Sequence, residues 1–169
     1  MADVAETTPV SAVDQSGNTT IWWVPAIADV AAPKVSEIGA VGAKRVTYSF
    51  TPDGWGLTGS QEKKADDRLT LDQTLEALGK STASLTLKYV DSTDSSSAAA
   101  VLTEGSIGYF VERRGVSNAT LIAAGQKVRV IKVALGKQIP GPVDGTGKFT
   151  IMQETAITGV VGGAVAVAA

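Results

Sequence analysis

The chain has 169 residues, of which 44% are hydrophobic and 19% are charged, so it is long and apolar enough to bury a core. It contains no cysteine and no histidine, which excludes disulfides, thiolate or histidine metal sites and any Ser–His catalytic triad. The formal net charge of −2 argues against a basic nucleic-acid clamp. We therefore expect a protein that is not an enzyme and needs neither cofactor nor metal.

Residues 1–18 show no clear hydrophobic period and are interpreted as an N-terminal arm. Their polar, mildly acidic start does not match a secretory signal. The most apolar stretch is residues 159–169, which is shorter than the roughly 20 residues that a membrane-spanning helix needs. We expect no export signal and no membrane partner, and we interpret residues 159–169 as a C-terminal arm.

A strand is predicted at residues 19–24, which are rich in β-branched and aromatic side chains. Within it, Trp22 and Trp23 must point to opposite faces, so one ring leaves the core that the other enters. Either another part of the same chain or a neighbouring subunit would have to cover that ring. Further along, Pro33 and Gly39 mark the start and the stop of a short helix.

A half-buried strand predicted at residues 45–50 is followed by a long loop predicted at residues 51–66. The loop contains three glycines, one proline and a charged run, and it exceeds the usual connection of about 4–6 residues. Trp55 near its centre is a candidate anchor for a protein interface, or else a lid over its own domain.

Two amphipathic strands are predicted next, at residues 68–76 and 82–89, with residues 79–81 as the turn between them. In the first strand the core side carries Leu69, Leu71 and Leu75, and the solvent side carries Arg68, Thr70, Asp72, Thr74 and Glu76. This alternation is typical of an antiparallel hairpin with one wet face.

The clearest helical period lies at residues 98–102, with Asp94 or Ser95 as the cap and Gly105 as the stop. Three more strands are predicted, at residues 107–114, 127–137 and 149–157. In the second of these the apolar residues switch parity, which predicts a β-bulge near residues 130–131. A stiff connection rich in Pro and Gly joins the last two strands at residues 140–147.

These elements predict a mainly β domain at residues 19–158, flanked by the two arms. Local reasoning gives an antiparallel β-sandwich or a partly open barrel with one flanking α-helix. Charge divides unevenly along it, because residues 1–76 carry eleven acids and six bases whereas residues 77–169 carry six acids and nine bases. Such a division permits head-to-tail stacking of copies, although interleaving of the two halves in one fold is the simpler interpretation.

Carboxylates offer no convincing catalytic pair. On a strand, Asp72 and Glu76 would lie roughly 13 Å apart, which is too far for either glycosidase geometry. The acidic residues also lack the spacing of a calcium loop. We interpret them as part of a solvated face.

Several stretches together resemble the major tail tube proteins of bacteriophages with long, non-contractile tails, especially phages of actinobacteria. The resemblance rests on the order and spacing of four segments, none of them a catalytic signature. They are Ile-Trp-Trp-Val-Pro-Ala-Ile-Ala-Asp at 21–29, Ala-Pro-Lys-Val-Ser-Glu-Ile at 32–38, Asp-Asp-Arg-Leu at 66–69 leading to Leu-Thr-Leu-Lys-Tyr-Val at 85–90, and Glu-Gly-Ser-Ile-Gly-Tyr-Phe-Val-Glu-Arg-Arg-Gly at 104–115.

The resemblance implies a structural subunit of the tail tube in the virion, assembled in the host cytoplasm. Six copies would form a ring, and stacked rings would enclose a lumen through which double-stranded DNA passes at ejection. A tape measure protein and a tail terminator are the implied partners. A long loop and the terminal arms would bridge successive rings.

Three groups of residues are predicted to serve this assembly. The inter-ring loop contact is assigned to Trp55, Glu62, Lys63 and Lys64. The lumen-facing positions are assigned to Asp72 and Glu76, because a wall where acids are not outnumbered would let DNA slide rather than bind. The subunit-contact arm is assigned to Val160, Val161, Val165 and Val167.

Two other functions remain open from the sequence. One is an immunoglobulin-like surface decoration or receptor-binding module of a virion, which would not form tubes. The other, more remote, is an enzyme that uses carboxylates alone.

Overall fold

The computed structural model describes residues 12–143 and 147–169. Its strands are β1 (Thr19–Val24), β2 (Lys44–Arg45), β3 (Phe50–Asp66), β4 (Leu75–Val90), β5 (Ile107–Arg114), β6 (Lys127–Pro140), β7 (Thr150–Ile157) and β8 (Val165–Ala166). Its helices are α1 (Val35–Ile38), α2 (Ala98–Val101) and a short 3-10 turn (Thr47–Ser49). Of the predicted N-terminal arm, residues 1–11 lie outside the described residues, as do residues 144–146 of the predicted stiff connection.

All strand pairs are antiparallel, and they form one sheet in the order β2-β1-β5-β6-β7-β4-β3, with β8 added beside β6. The sheet curls into a half-barrel, which confirms the predicted mainly β, partly open barrel. The curl brings β3 and β5 towards each other although β6, β7 and β4 lie between them in the sheet.

Both faces of the sheet are covered where β1, β5 and β6 meet. The inner cluster fills the curl and contains Trp23, Phe110, Ile131 and Leu87. The outer cluster contains Trp22, Val111, Val130 and Ile38 of α1. Trp22 is only 3% exposed, so its own chain covers the second tryptophan ring and no neighbouring subunit is needed for that.

The parity switch in β6 also arises because the sheet is covered on both faces there. Val128 and Val130 enter the outer cluster, whereas Ile131, Val133 and Leu135 enter the inner cluster. The pairing of β5 with β6 runs without interruption through this region, so the bulge predicted near residues 130–131 is wrong. The irregularity lies between Leu135 and Gln138, where β6 pairs with β7.

The predicted loop at residues 51–66 is also wrong, because this segment is the long strand β3. It pairs with β4 to make a hairpin, and the turn of that hairpin falls at residues 67–74, where a strand was predicted. Gly79, Lys80 and Ser81 lie within β4 rather than at a turn. The hairpin extends with both faces in water, so nothing forces its sequence to alternate, and its glycines and charges looked like those of a loop.

The region from residue 44 to 50 differs from the predicted strand as well. Only Lys44 and Arg45 pair with β1, and a 3-10 turn follows. Val46 is buried as expected, but Tyr48 points to solvent. Further along the chain, both helices form where predicted, although Ser97 rather than Asp94 or Ser95 caps α2, by accepting a hydrogen bond from the Ala100 N–H.

A buried polar pair ties the inner cluster together. The Tyr89 hydroxyl on β4 donates to Gln153 Oε1 on β7 at 2.9 Å. Gln153 Nε2 then donates to the carbonyl oxygens of Leu102 and Gly136, at 3.0 and 2.9 Å. Burial raises the pKa of Tyr89 to about 12, so the phenol keeps its donor proton at ordinary pH.

The root of the hairpin requires a glycine. Pairing of β3 with β4 is irregular between Phe50 and Trp55, and at Gly54 an added Cβ would overlap with the carbonyl oxygen of Lys88. We expect Gly54→Ala to lower the free energy of unfolding by about 1–3 kcal/mol, because the strands must separate to admit a methyl group.

Gly56 is the matched control for this substitution. A Cβ there would lie 3.8 Å from the Thr86 carbonyl oxygen, an ordinary contact. Gly56→Ala should therefore change the free energy of unfolding by no more than about 0.5 kcal/mol. Urea denaturation of both variants measures the difference, and equal stabilities would contradict the close approach at Gly54.

Candidate assembly surfaces

The outer half of the β3–β4 hairpin is a two-stranded ribbon that extends beyond the rest of the sheet. β7 pairs with β4 only from Thr86 to Val90, whereas the hairpin continues to the pair Asp66 and Leu75. Hydroxyl pairs join its strands, Thr58 with Ser84 at 2.8 Å and Ser60 with Thr82 at 2.9 Å. A two-stranded hairpin is marginal alone in water, so this ribbon is suited to gain stability from a partner.

The charged run predicted to touch the next ring lies on this ribbon. Glu62, Lys63 and Lys64 are all exposed on β3. Lys63 Nζ contacts Glu76 Oε2 on β4 at 2.9 Å, an exposed ion pair that contributes little to stability. The structure thus places Glu76, predicted to face a lumen, directly across the ribbon from the predicted contact residues.

The hairpin tip exposes leucines. Leu69 is 93% exposed, and three further leucines of the outer hairpin, Leu71, Leu75 and Leu78, are exposed as well. The spacing of Leu69, Leu71 and Leu75 predicts a strand with these residues on a buried face, and that prediction is wrong. Asp72 lies in the turn among them rather than on a strand face with Glu76. An apolar cluster at a projecting tip is typical of a protein contact surface.

Trp55 lies at the root of the ribbon, not at a loop tip. Its ring is half-buried and packs edge-on against Phe50 and Phe110, with centroid distances of 5.5 and 5.2 Å. Its indole Nε1 donates to Glu112 Oε1 at 2.9 Å. Of the two roles considered for Trp55, the described residues favour packing on its own domain.

Glu112 is a buried carboxylate that sequence reasoning did not single out. It is 2% exposed on β5, and its Oε1 accepts from Trp55 and from Arg114, whose Nη2 lies 2.6 Å away. Its Oε2 lies 3.6 Å from Nη1 of Arg129 on β6. A buried carboxylate needs this degree of pairing, and the Arg-Arg sequence after it was the available signal.

Arg113, the next residue, is fully buried on the opposite face. Its guanidinium donates to the carbonyl oxygens of Ser117, Thr120 and Leu121 and to Gln126 Oε1, with distances from 2.8 to 3.3 Å. It also stacks over the Trp22 ring, 5.1 Å from the centroid. Burial, together with the charge of Arg45, lowers the pKa of Arg113. This network secures the connection between β5 and β6.

The C-terminal arm folds back on its own domain over much of its length. β8, which includes Val165, pairs with β6, and Val167 is 3% exposed in the outer cluster. Val161 packs against the inner cluster, whereas Val160 is 94% exposed. Of the four valines assigned to subunit contact, Val160 is thus the most accessible to a second copy.

The exposed face of β4, β7 and β6 is a further candidate surface. It carries small and hydroxyl side chains on β4, with Met152 and Glu154 on β7. Lys88 on the same face pairs with Asp53 at 3.2 Å, which partly neutralises it.

Two kinds of feature are missing from the described parts of the chain. Across residues 12–143 and 147–169, no helix has both the length and the apolar character to traverse a bilayer. In these same two stretches, acidic side chains do not gather in threes at positions suited to holding a metal ion.

A half-barrel with a projecting hairpin, short helices and exposed leucines at the hairpin tip defines a mainly β protein with surfaces suited to self-assembly. Residues 6–169 match the family described as phage tail tube protein. Because the match spans nearly the whole sequence, the chain belongs to the phage tail tube protein family. It is therefore a structural component of a phage tail. A comparison with curated proteins finds no match.

Proposed function

We propose that copies of this chain assemble into hexameric rings, that the rings stack into the tail tube, and that the lumen conducts DNA during ejection. The observation that supports stacking of the rings is the ribbon, which extends beyond the sheet and exposes leucines at its tip. Such a tip gains roughly 25 cal/mol for each Å² of apolar surface that a second copy covers. The ring number of six rests on the family resemblance.

In this arrangement the ribbon is the inter-ring contact. Glu62, Lys63 and Lys64 line its β3 strand and the leucines form its end, while Trp55 holds its root. The contact is heterologous, because the tip of one copy meets a different surface of the next. Repetition of a heterologous contact along an axis produces an open-ended stack, which is what a tube requires.

That Asp72 and Glu76 face the lumen stays a prediction, which now rests on the net charge of the hairpin tip rather than on a shared strand face. These two residues do not share a strand face, but residues 66–76 carry four acids and one base. A tip with this charge would repel phosphate wherever it approached the lumen. In an assembled tube, carboxylates that point away from the axis would contradict the assignment.

The C-terminal arm is proposed to contribute a smaller contact through Val160, with Val161, Val165 and Val167 holding the arm in place beneath it. A tape measure protein inside the tube and a terminator at its end are the further proposed partners. Assembly is proposed to take place in the host cytoplasm.

Negative-stain electron microscopy of the purified protein tests the proposal. We expect rings or tubes whose number rises with protein concentration, because each contact between copies is intermolecular. Small separate globules at every concentration would instead favour a decoration or receptor-binding module of the virion.

A further inference from the structure

The hydrogen bond between Trp55 and Glu112 connects strands that the sheet keeps apart. Trp55 is on β3 at one edge, and Glu112 is on β5, with β6, β7 and β4 between them. The two side chains therefore meet across the interior of the curl rather than along a ladder. Together with the packing of Trp55 on Phe110, this contact closes the half-barrel.

Because Trp55 lies where the hairpin leaves the domain, its contact with Glu112 affects the orientation of the whole hairpin. Residues 51–54 interrupt the regular pairing with β4, and Trp55, opposite Leu87, is where pairing resumes. Everything beyond it, up to Asp66, belongs to the extended hairpin. A lateral bond at the residue where pairing resumes therefore restrains the direction in which the whole ribbon leaves the domain.

The carboxylate is itself held in one orientation. Arg114 Nε and Nη2 donate to Glu112 Oε1 at 2.8 and 2.6 Å, while Arg129 approaches Oε2. Glu112 is buried although its arginine partners reach solvent, so losing one of these charge-assisted contacts leaves a buried carboxylate oxygen less well paired, and this restrains the side chain. Glu112 is thereby a fixed point to which the indole N–H is attached.

We propose that Glu112, acting through Trp55, is a positioning residue that sets the direction of the β3–β4 ribbon relative to the rest of the domain. The proposal rests on the proposed function insofar as the ribbon bridges copies. A ribbon aimed in one direction in the free subunit meets the next copy without a loss of conformational entropy on binding.

The direction of the ribbon can be measured in the free subunit. Because the chain has no cysteine, Lys80→Cys on the ribbon and Ile107→Cys on β5 allow two spin labels to be attached at exposed sites. The distance distribution between the labels reports the direction of the ribbon. Into this labelled background we would introduce Trp55→Phe, which keeps an aromatic ring but removes the N–H donor, and separately Glu112→Gln, which keeps the size but removes the charge.

Trp23→Phe is the matched control, because Trp23 lies on β1 in the same inner cluster and packs on Phe110 at 5.0 Å. It loses the same atoms without touching the ribbon. We expect both Trp55→Phe and Glu112→Gln to broaden the distance distribution, and Trp23→Phe to leave its width unchanged. Amide exchange at residues 57–61 should rise about tenfold in Trp55→Phe relative to Trp23→Phe, as expected for the loss of a charge-assisted hydrogen bond.

An unchanged distance distribution in either Trp55→Phe or Glu112→Gln would overturn the proposal. Equal broadening in Trp23→Phe would also overturn it, since loss of core volume would then be the cause. These measurements use the unassembled subunit, so they remain informative if the wild-type protein forms no tubes. Absence of wild-type tubes would count against the proposed function alone.

Discussion

Removing the outer ribbon should abolish tube formation while leaving the domain folded. The variant lacks residues 61–81 and joins Ser60 to Thr82 by Asn-Gly, a pair of residues suited to a two-residue hairpin turn. Ser60 and Thr82 are paired neighbours across the ribbon, so the shortened hairpin keeps its register. The deleted part is exposed on both faces, so little buried surface is lost.

Electron microscopy and thermal unfolding measure the two halves of this prediction. We expect no tubes at concentrations where the wild-type protein forms them, and a melting temperature within a few degrees of wild type, because changes away from the core cost little. Tubes of normal length from the shortened protein would show that the ribbon is not the contact between rings. A variant with Leu69→Ser and Leu78→Ser separates the leucine tip from the ribbon's length, and we expect it to assemble poorly as well.

The sequence correctly located β1, β5 and β7. β1 was indicated by its β-branched and aromatic composition, whereas β5 and β7 were indicated by alternating apolar residues, although in the structure β1 and β5 are covered on both faces. β6 was located correctly, but its parity switch was attributed to a bulge. A strand covered on both faces buries consecutive residues, and a local pattern does not distinguish that from an added residue.

The hairpin could not be predicted from local patterns, for the opposite reason. In the single chain both faces of its outer half are exposed, so burial imposes no alternating pattern on that part, whereas the inner part of β4 alternates and was predicted as a strand. Glycine and charge over residues 51–66 then favoured a loop, while the leucines of the true turn favoured a strand. If the proposed contact exists, those leucines become buried against the next copy in the assembled tube. That burial is not visible in a single chain.

The candidate site was predicted only in part. The segment around Trp55 was singled out by its length and its lone aromatic ring, and the structure places it in the projecting hairpin. Glu112 was missed because its one local signal, the arginine pair that follows it, does not indicate burial, and its Trp55 and Arg129 partners lie 57 and 17 positions away in sequence. Only the curl of the sheet brings these residues together.

In the C-terminal arm, substitution by alanine should destabilise the fold at Val167 but not at Val160. Val167 is buried in the outer cluster, and the backbone around it is tied to Gln126, Gly125 and Pro33 by hydrogen bonds of 2.8 to 2.9 Å. Val167→Ala removes two methyl groups from that cluster and should lower the free energy of unfolding by about 1–3 kcal/mol. Val160 is 94% exposed, so Val160→Ala should change it by no more than about 0.5 kcal/mol.

Assembly, measured with both variants folded, should instead be weakened by Val160→Ala and not by Val167→Ala. If Val160 touches the next copy, Val160→Ala raises the protein concentration at which tubes appear, because the lost apolar contact is intermolecular. Val167→Ala, measured well below its melting temperature, should assemble at the wild-type concentration. Urea denaturation and light scattering across a concentration series measure the two effects. A stable Val160→Ala protein that assembles normally would confine the arm to its own domain, whereas a destabilised one would contradict the exposure of Val160.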